Sequence, residues 1–136
     1  MVKARVAIAV LVAVLTLTFA ALTGAQTRSV TGQFGVLGEW ELTANVTKQA
    51  DDGGRLWSGP LSLKHIGFCS VDGPEQKTGE LRLDIPDPVA GSPAEATATL
   101  LIDGGACIFK GHLTDGYEGV MVCPDRANVP MMLMFQ

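Results

Sequence analysis

Short stretches in which apolar and polar residues alternate restrict the fold of this chain more than any other feature. The first stretch begins at Trp40, and every second residue after it is also apolar as far as Val46. A period of two places the apolar side chains on one face of a half-buried strand. Two later stretches repeat the pattern with these residues: Leu61 and Leu63 in one that runs toward Phe68, and Leu81, Leu83 and Ile85 in one that Pro86 and Pro88 end.

The segment from Ala96 to Cys123 indicates two consecutive hairpins whose registers can be predicted. A two-residue turn at Gly104-Gly105 pairs Ile102 with Cys107, and a loop over residues 114–116 pairs Leu113 with Tyr117. Both turns place the same set on the inner face: Ala98, Leu100, Ile102, Cys107, Phe109, Gly111, Tyr117, Gly119, Met121 and Cys123. The outer face receives Thr97, Thr99, Lys110, His112 and Glu118, with His112 opposite Glu118.

The whole chain is expected to be all-β, with six to eight strands at a spacing of roughly ten residues. Gln26 to Gly35 is predicted as a loose lead-in, and Val129 to Phe135 as a final strand in which Pro130 indicates an edge or end position. We favour a small antiparallel up-and-down β-barrel over a β-sandwich, because closing the sheet removes exposed strand edges. An outer-membrane barrel fits poorly, since its aromatic girdles need more than the two Trp and one Tyr present.

Residues 1–25 have the features of a signal peptide. Lys3 and Arg5 give a basic start, an uncharged run follows over residues 6–21, and the small residues Thr23 and Ala25 precede Gln26. We expect cleavage before Gln26, which leaves a single exported domain, residues 26–136, in the periplasm or outside the cell and without a transmembrane span. The alternative is an uncleaved anchor, since the apolar run is just long enough to span a bilayer.

Composition and charge narrow the class of partner. Hydrophobic residues make up 47% of the chain and charged residues 18%, a balance that can bury a core and is not typical of disordered proteins. Without the leader, the chain has 8 basic and 14 acidic residues and a net charge of −6. This charge argues against nucleic acid and anionic membranes as partners, because both are bound through clusters of Lys and Arg.

The three cysteines suggest one disulfide in an exported protein. The predicted hairpin register places Cys107 directly opposite Cys123 on neighbouring strands, a spacing that a disulfide can bridge. Cys69 is then left over, and it is either buried, or links two chains, or pairs with Cys123 in a different register.

We find no motif for catalysis and expect a protein that is not an enzyme and has no cofactor. Two histidines and four methionines could together form a soft-metal site like those of exported copper proteins: His65, His112, Met121, Met131, Met132 and Met134. We favour no metal site, because methionine is a common core filler and the two histidines lie on separate strands.

The residues Gly38-Glu39-Trp40, at the start of the first amphipathic strand, resemble the Gly-x-Trp signature of the calycins. That group contains the lipocalins, the avidins and small bacterial protease inhibitors. The segment Thr114-Asp115-Gly116-Tyr117 is similar to the later Thr-Asp-Tyr of lipocalins, with one inserted glycine. The resemblance implies an up-and-down barrel in which the first-strand tryptophan plugs one end.

These observations favour a non-enzymatic binding module. Its ligand would be a small apolar molecule held inside the barrel, or a protein partner, such as a protease, held at the rim. The residues expected to line a ligand cavity are the inward aromatic, apolar and small ones: Trp40, Leu100, Phe109, Gly111, Gly119 and Met121. The alternative is a structural protein of the cell envelope with no small-molecule ligand, in which Trp40 is simply part of the core.

Overall fold

The computed structural model describes residues 25–50, 55–67, 71–87 and 89–136. Residues 1–24 of the predicted signal peptide lie outside the described residues, and so do Phe68, Cys69 and Pro88. Within the described ranges, no helix has the length and apolar character needed to cross a membrane.

Eight antiparallel strands form a closed up-and-down barrel. Each strand pairs with the next in the chain, and the last pairs with the first, so the barrel prediction is confirmed and the sandwich alternative is wrong. The strands are β1 (Thr27–Phe34), β2 (Trp40–Lys48), β3 (Leu56–His65), β4 (Gln76–Asp84), β5 (Glu95–Ile102), β6 (Gly105–Leu113), β7 (Tyr117–Val122) and β8 (Val129–Phe135).

The prediction of a loose lead-in over Gln26 to Gly35 is wrong, because Thr27–Phe34 forms strand β1. Val30 and Phe34 point inward, but Gly32 stands between them and interrupts the apolar alternation on which the prediction relied. Pairing with both β2 and β8 satisfies the backbone of β1, so the strand forms with few apolar side chains of its own. The prediction for Pro130 holds in part: Pro130 is the second residue of β8 and so has an end position, but β8 pairs with both β7 and β1 and is not an edge strand.

The turn between β5 and β6 lies one residue earlier in the chain than predicted, at Asp103-Gly104 instead of Gly104-Gly105. Asp103 and Gly104 form the turn with φ of 52° and 76°, and Ile102 pairs with Gly105. Positive φ at both central residues is the requirement of a type I′ turn, for which Asp-Gly is a preferred pair. The register therefore shifts by two residues and places Cys107 opposite Leu100. Because a strand repeats every two residues, the predicted faces are unaffected.

The β6–β7 hairpin has the predicted register. Leu113 pairs with Tyr117 and His112 with Glu118, and the Thr114 N–H donates to the Gly116 carbonyl at 2.8 Å. The prediction that Cys107 faces Cys123 is confirmed, with the two Sγ atoms at the disulfide distance of 2.09 Å.

The middle of the barrel is filled by side chains from all eight strands. The largest fully buried ones are Phe109, Leu42, Leu81, Leu100, Leu133, Val30 and Val46. Small closed barrels have interiors just wide enough for such a packed core. Space for a ligand must therefore be sought at the ends of the barrel.

Candidate ligand-binding site

A pocket of about 350 Å³ opens at the end of the barrel where Trp40 begins β2. We call this the Trp40 end and the cavity the mouth pocket. Strands β1, β3, β5 and β7 finish at this end of the barrel, and the volume lies within the range of known ligand sites, roughly 300 to 1,000 Å³.

One side of the mouth pocket is aromatic. Phe34, Trp40 and His65 occupy paired positions on the adjacent strands β1, β2 and β3. The Phe34 and Trp40 rings are nearly parallel, with centroids 5.9 Å apart and an interplanar angle of 4°, and the His65 ring meets Trp40 edge-on at 4.7 Å. The Phe34 and Trp40 rings therefore line one side of the mouth, and His65 packs against Trp40 beside them.

The other side of the mouth pocket is aliphatic and sulfur-rich. It contains Ile102 from β5, the Cys107–Cys123 pair and Met121 from β7. Leu63 and Met121 are almost completely buried and form the floor, beneath which the packed core begins. A ligand in this pocket would contact apolar surface on both sides and below.

Charged side chains stand around the rim. Lys77 comes from β4, and its Nζ lies 5.7 Å from the centre of the Trp40 ring, close enough for a cation–π interaction. The same Nζ lies 3.4 Å from Asp103 Oδ2 and 3.7 Å from Glu75 Oε1. Asp125 and Arg126 complete the rim and lie 3.9 Å apart. The pocket is thus apolar inside and charged where it meets solvent.

The loop between β1 and β2 is held by Glu39. The Leu37 N–H donates to Glu39 Oε2 at 2.9 Å, and the carboxylate lies where a side chain on Gly35 would stand. Gly35 has φ of 107°, which strongly favours glycine. The backbone N–H groups of Glu39 and Leu37 hold the pKa of the Glu39 carboxyl below its usual range, with His65 and Arg126 acting in the same direction. The loop is therefore fixed by an ionised carboxylate.

The structure places two of the six predicted cavity residues, Trp40 and Met121, in the lining of the mouth pocket. Leu100 and Phe109 lie deeper and are completely buried. A side chain on Gly111 would collide with the Phe109 ring, so that ring takes the room that the missing side chain was expected to leave. Gly119 pairs with Gly111 and Met131, and a side chain there would collide with the Lys110 carbonyl. Ligand binding by these residues stays a prediction.

Phe34, Lys77 and Ile102 also line the mouth pocket, and sequence reasoning did not select them as cavity residues. Strand alternation contained a signal for Lys77, which lies two and four positions before the inward-facing Gly79 and Leu81. The same counting along β3 from Leu61 and Leu63 places His65 inward, where it packs against Trp40.

The histidines and methionines considered as a soft-metal site lie on both sides of the barrel wall. Met121 and Met131 are buried inside, whereas Met132 and Met134 are exposed on the outer face of β8. His65 packs against Trp40 at the end of β3, and His112 Nδ1 lies 3.3 Å from Glu95 Oε1 on the outer surface. Among the described residues, no group of three or more His, Cys, Asp or Glu side chains is arranged to hold a metal ion.

A second depression, of about 480 Å³, lies on the outside of β3, β4 and β5. Charged and hydroxyl side chains form most of its lining, and Arg82 there is engaged with Glu80 at 2.8 Å. Ligand pockets are mostly apolar with a few polar groups, so the mouth pocket is the better candidate despite its smaller volume.

No protein-family model, no curated protein and no solved structure shows a significant match to this chain. The function must therefore be argued from the site itself.

Proposed function

We propose that this protein is an exported, non-enzymatic binding module that holds a small apolar ligand in the mouth pocket. The observation that supports this most is the composition of the cavity: about 350 Å³ enclosed by aromatic rings on one side and by Ile102, Met121 and a cystine on the other. Apolar pockets of this size with charged rims are typical of small-molecule sites.

The depth of the pocket limits the ligand. Leu63 and Met121 close the pocket from below, and the fully buried Leu100 and Phe109 belong to the core behind them. A long chain that passes through the barrel has no room. The ligand is a short molecule that enters at the Trp40 end and stops at Met121.

A calycin-like architecture is part of this proposal. The closed up-and-down strand order supports it, as does the position of Trp40 at one end of the barrel. The chain departs from that pattern in one respect, since β1 precedes the Gly38-Glu39-Trp40 segment and Trp40 begins the second strand. The Cys107–Cys123 pair supports an exported location, because disulfides persist in oxidising compartments.

Bromobenzene tests the proposal, because bromine quenches the fluorescence of an indole ring that it touches. We expect saturable quenching of Trp40 in the Trp57→Phe variant and none of Trp57 in the Trp40→Phe variant. The chain contains only these two tryptophans, so each variant reports one end of the barrel. Absence of saturable quenching in both variants would contradict the proposal and support the alternative of a structural envelope protein.

A second candidate function, contact with a protein partner at the rim, is favoured by the tip of the β1–β2 loop. Val36 and Leu37 are 84% and 90% exposed there, although the Glu39 carboxylate fixes the loop beneath them. Exposed apolar side chains on a fixed loop are typical of a preorganised protein contact. The Val36→Ser/Leu37→Ser variant should lose such a partner and retain the bromobenzene response.

A further inference from the structure

We propose that the ligand of the mouth pocket is a small aromatic anion, whose ring lies against the Phe34–Trp40 side and whose negative group meets Lys77. This inference rests on the proposed function and names its ligand class. Three observations support it. Lys77 occupies an inward position at the pocket, the carboxylates around it are engaged or exposed to solvent, and the apolar space beside it suits a flat ring.

Lys77 is the charged side chain placed best to meet a ligand inside the pocket. It occupies an inward position of β4, in the same alternation as Gly79, Leu81 and Leu83. Its side chain is 36% exposed, whereas that of Asp103 is 69% and that of Arg126 is 71% exposed. The ammonium group thus stands at the inner edge of the rim, above Trp40, while Asp103 and Arg126 extend into solvent.

The ion pairs of Lys77 are long. Its Nζ lies 3.4 Å from Asp103 Oδ2 and 3.7 Å from Glu75 Oε1, whereas Arg82 and Glu80 on the outside of the same strand are 2.8 Å apart. Hydrogen bonds from nitrogen to oxygen are normally about 2.7–3.2 Å long. An ammonium group has three N–H donors, so Lys77 can donate to an incoming carboxylate without first breaking a short bond.

Glu39 and Asp103 are less suited to hold a cationic ligand, and Asp125 at the rim is 79% exposed and lies 3.9 Å from Arg126. The Glu39 carboxylate already accepts the Leu37 N–H and is turned toward Gly35 inside its own loop. Asp103 is fixed in the β5–β6 turn, where its carboxylate faces Lys77 from the solvent side. A cation placed over Trp40 would therefore meet the positive charge of Lys77 first.

The space beside Lys77 suits a flat ring. Phe34 and Trp40 are nearly parallel to each other, and aromatic ligands bind well in offset stacks or edge contacts with such rings. The volume of about 350 Å³ equals that of roughly a dozen water molecules in the liquid. One or two fused rings with a short anionic group would fill it.

Calorimetric titration with three ligands of equal ring size tests the inference: naphthoate, naphthalenemethanol and naphthylmethylammonium. We expect naphthoate to bind about fivefold more tightly than the neutral alcohol and the ammonium compound to bind most weakly. Lys77→Met should lower the naphthoate affinity to that of the alcohol and leave the alcohol affinity unchanged. Lys110→Met, on the outer face of β6, is the matched control and should change neither affinity.

Asp103→Asn gives an opposite and independent result. Asparagine tolerates the positive φ of 52° at this position, so the turn is retained. The substitution removes the negative charge of Asp103, which competes with the ligand for Lys77. Naphthoate should then bind more tightly than to the native chain. Equal affinities for anion and alcohol, or tighter binding of the ammonium compound, would overturn the inference and leave the proposed function standing. If none of the three ligands saturates the native protein, both the inference and the proposed function fail.

Discussion

The two ends of the barrel contain the same kinds of side chain and arrange them differently. At the Trp40 end, Phe34, Trp40 and His65 lie on three adjacent strands, and the Phe34 and Trp40 rings follow one side of the opening. At the opposite end, Trp57 from β3 meets Phe135 from β8 edge-on, with centroids 5.1 Å apart and an interplanar angle of 80°. Strands β3 and β8 are not neighbours, so these two rings meet across the interior.

Cationic side chains cover the aromatic rings at the Trp57 end of the barrel. The Arg28 guanidinium lies 5.6 Å from the centre of the Trp57 ring and 5.1 Å from that of Phe135, and Lys48 Nζ lies 5.8 Å from Trp57. Their stems cover the ring pair, and Trp57 is only 7% exposed. Aromatic residues from adjacent strands therefore leave a pocket, whereas aromatic residues from strands that are not neighbours close the barrel.

The largest expected effect comes from removing the tryptophan of the packed end. Trp57→Ala should lower the free energy of unfolding by about 3–5 kcal/mol, because it leaves a cavity among fixed neighbours. Trp40→Ala, the matched variant at the mouth, should cost about half as much, since that ring already borders open space. Urea unfolding measures both. Equal losses would mean that the two ends are packed alike and would remove the basis of the comparison.

The disulfide should have the next largest effect. Cys107 and Cys123 are 16 residues apart, and closing a loop of that length stabilises a protein by about 3 kcal/mol in the chain-entropy model. The Cys107→Ser/Cys123→Ser variant should unfold at a correspondingly lower urea concentration. Reductant should destabilise the native protein to the same level and leave the variant unchanged. A native protein that is insensitive to reductant would show that the cystine contributes nothing at this end.

The smallest effect concerns the charge that fixes the β1–β2 loop. The pKa of Glu39 is lowered in the folded protein by the N–H groups of Glu39 and Leu37, so its ionised form is stabilised by folding. That contribution is present above the unfolded pKa of about 4.3 and is lost as pH falls through the folded pKa. The small stability difference between the native protein and Glu39→Gln should therefore be full at neutral pH, shrink as the pH falls below the unfolded pKa, and disappear below the folded pKa. A difference that persists in acid would show that the charge is not its source.

Most of the fold could be predicted because strand alternation determines faces without an exact register. The β5–β6 turn was predicted at Gly104-Gly105 and lies at Asp103-Gly104, yet every inward residue of that hairpin stayed inward. Strand β1 could not be predicted in this way, since Gly32 has no side chain to mark its inner face. Its backbone pairing with β8 depends on closure of the whole barrel.

The candidate site could be predicted only in part. Trp40 and Met121 follow from alternation, but Phe34 was missed together with β1. Lys77 was missed because a lysine at a strand end is usually a solvated surface residue. The position of the cavity depends on how the rings are oriented. The Phe109 ring fills the space beside Gly111, whereas the Phe34 ring leaves space beside Trp40, and alternation does not distinguish these two outcomes.

A crystal structure of the protein soaked with bromobenzene tests the central claim most directly, because the anomalous scattering of bromine locates the ligand without assumptions. The account predicts one bromine site inside the mouth pocket, between Trp40 and Met121, and none at the ring pair of Trp57 and Phe135. Bromine at the Trp57 end, or no site in the mouth at a concentration that saturates the fluorescence response, would contradict it.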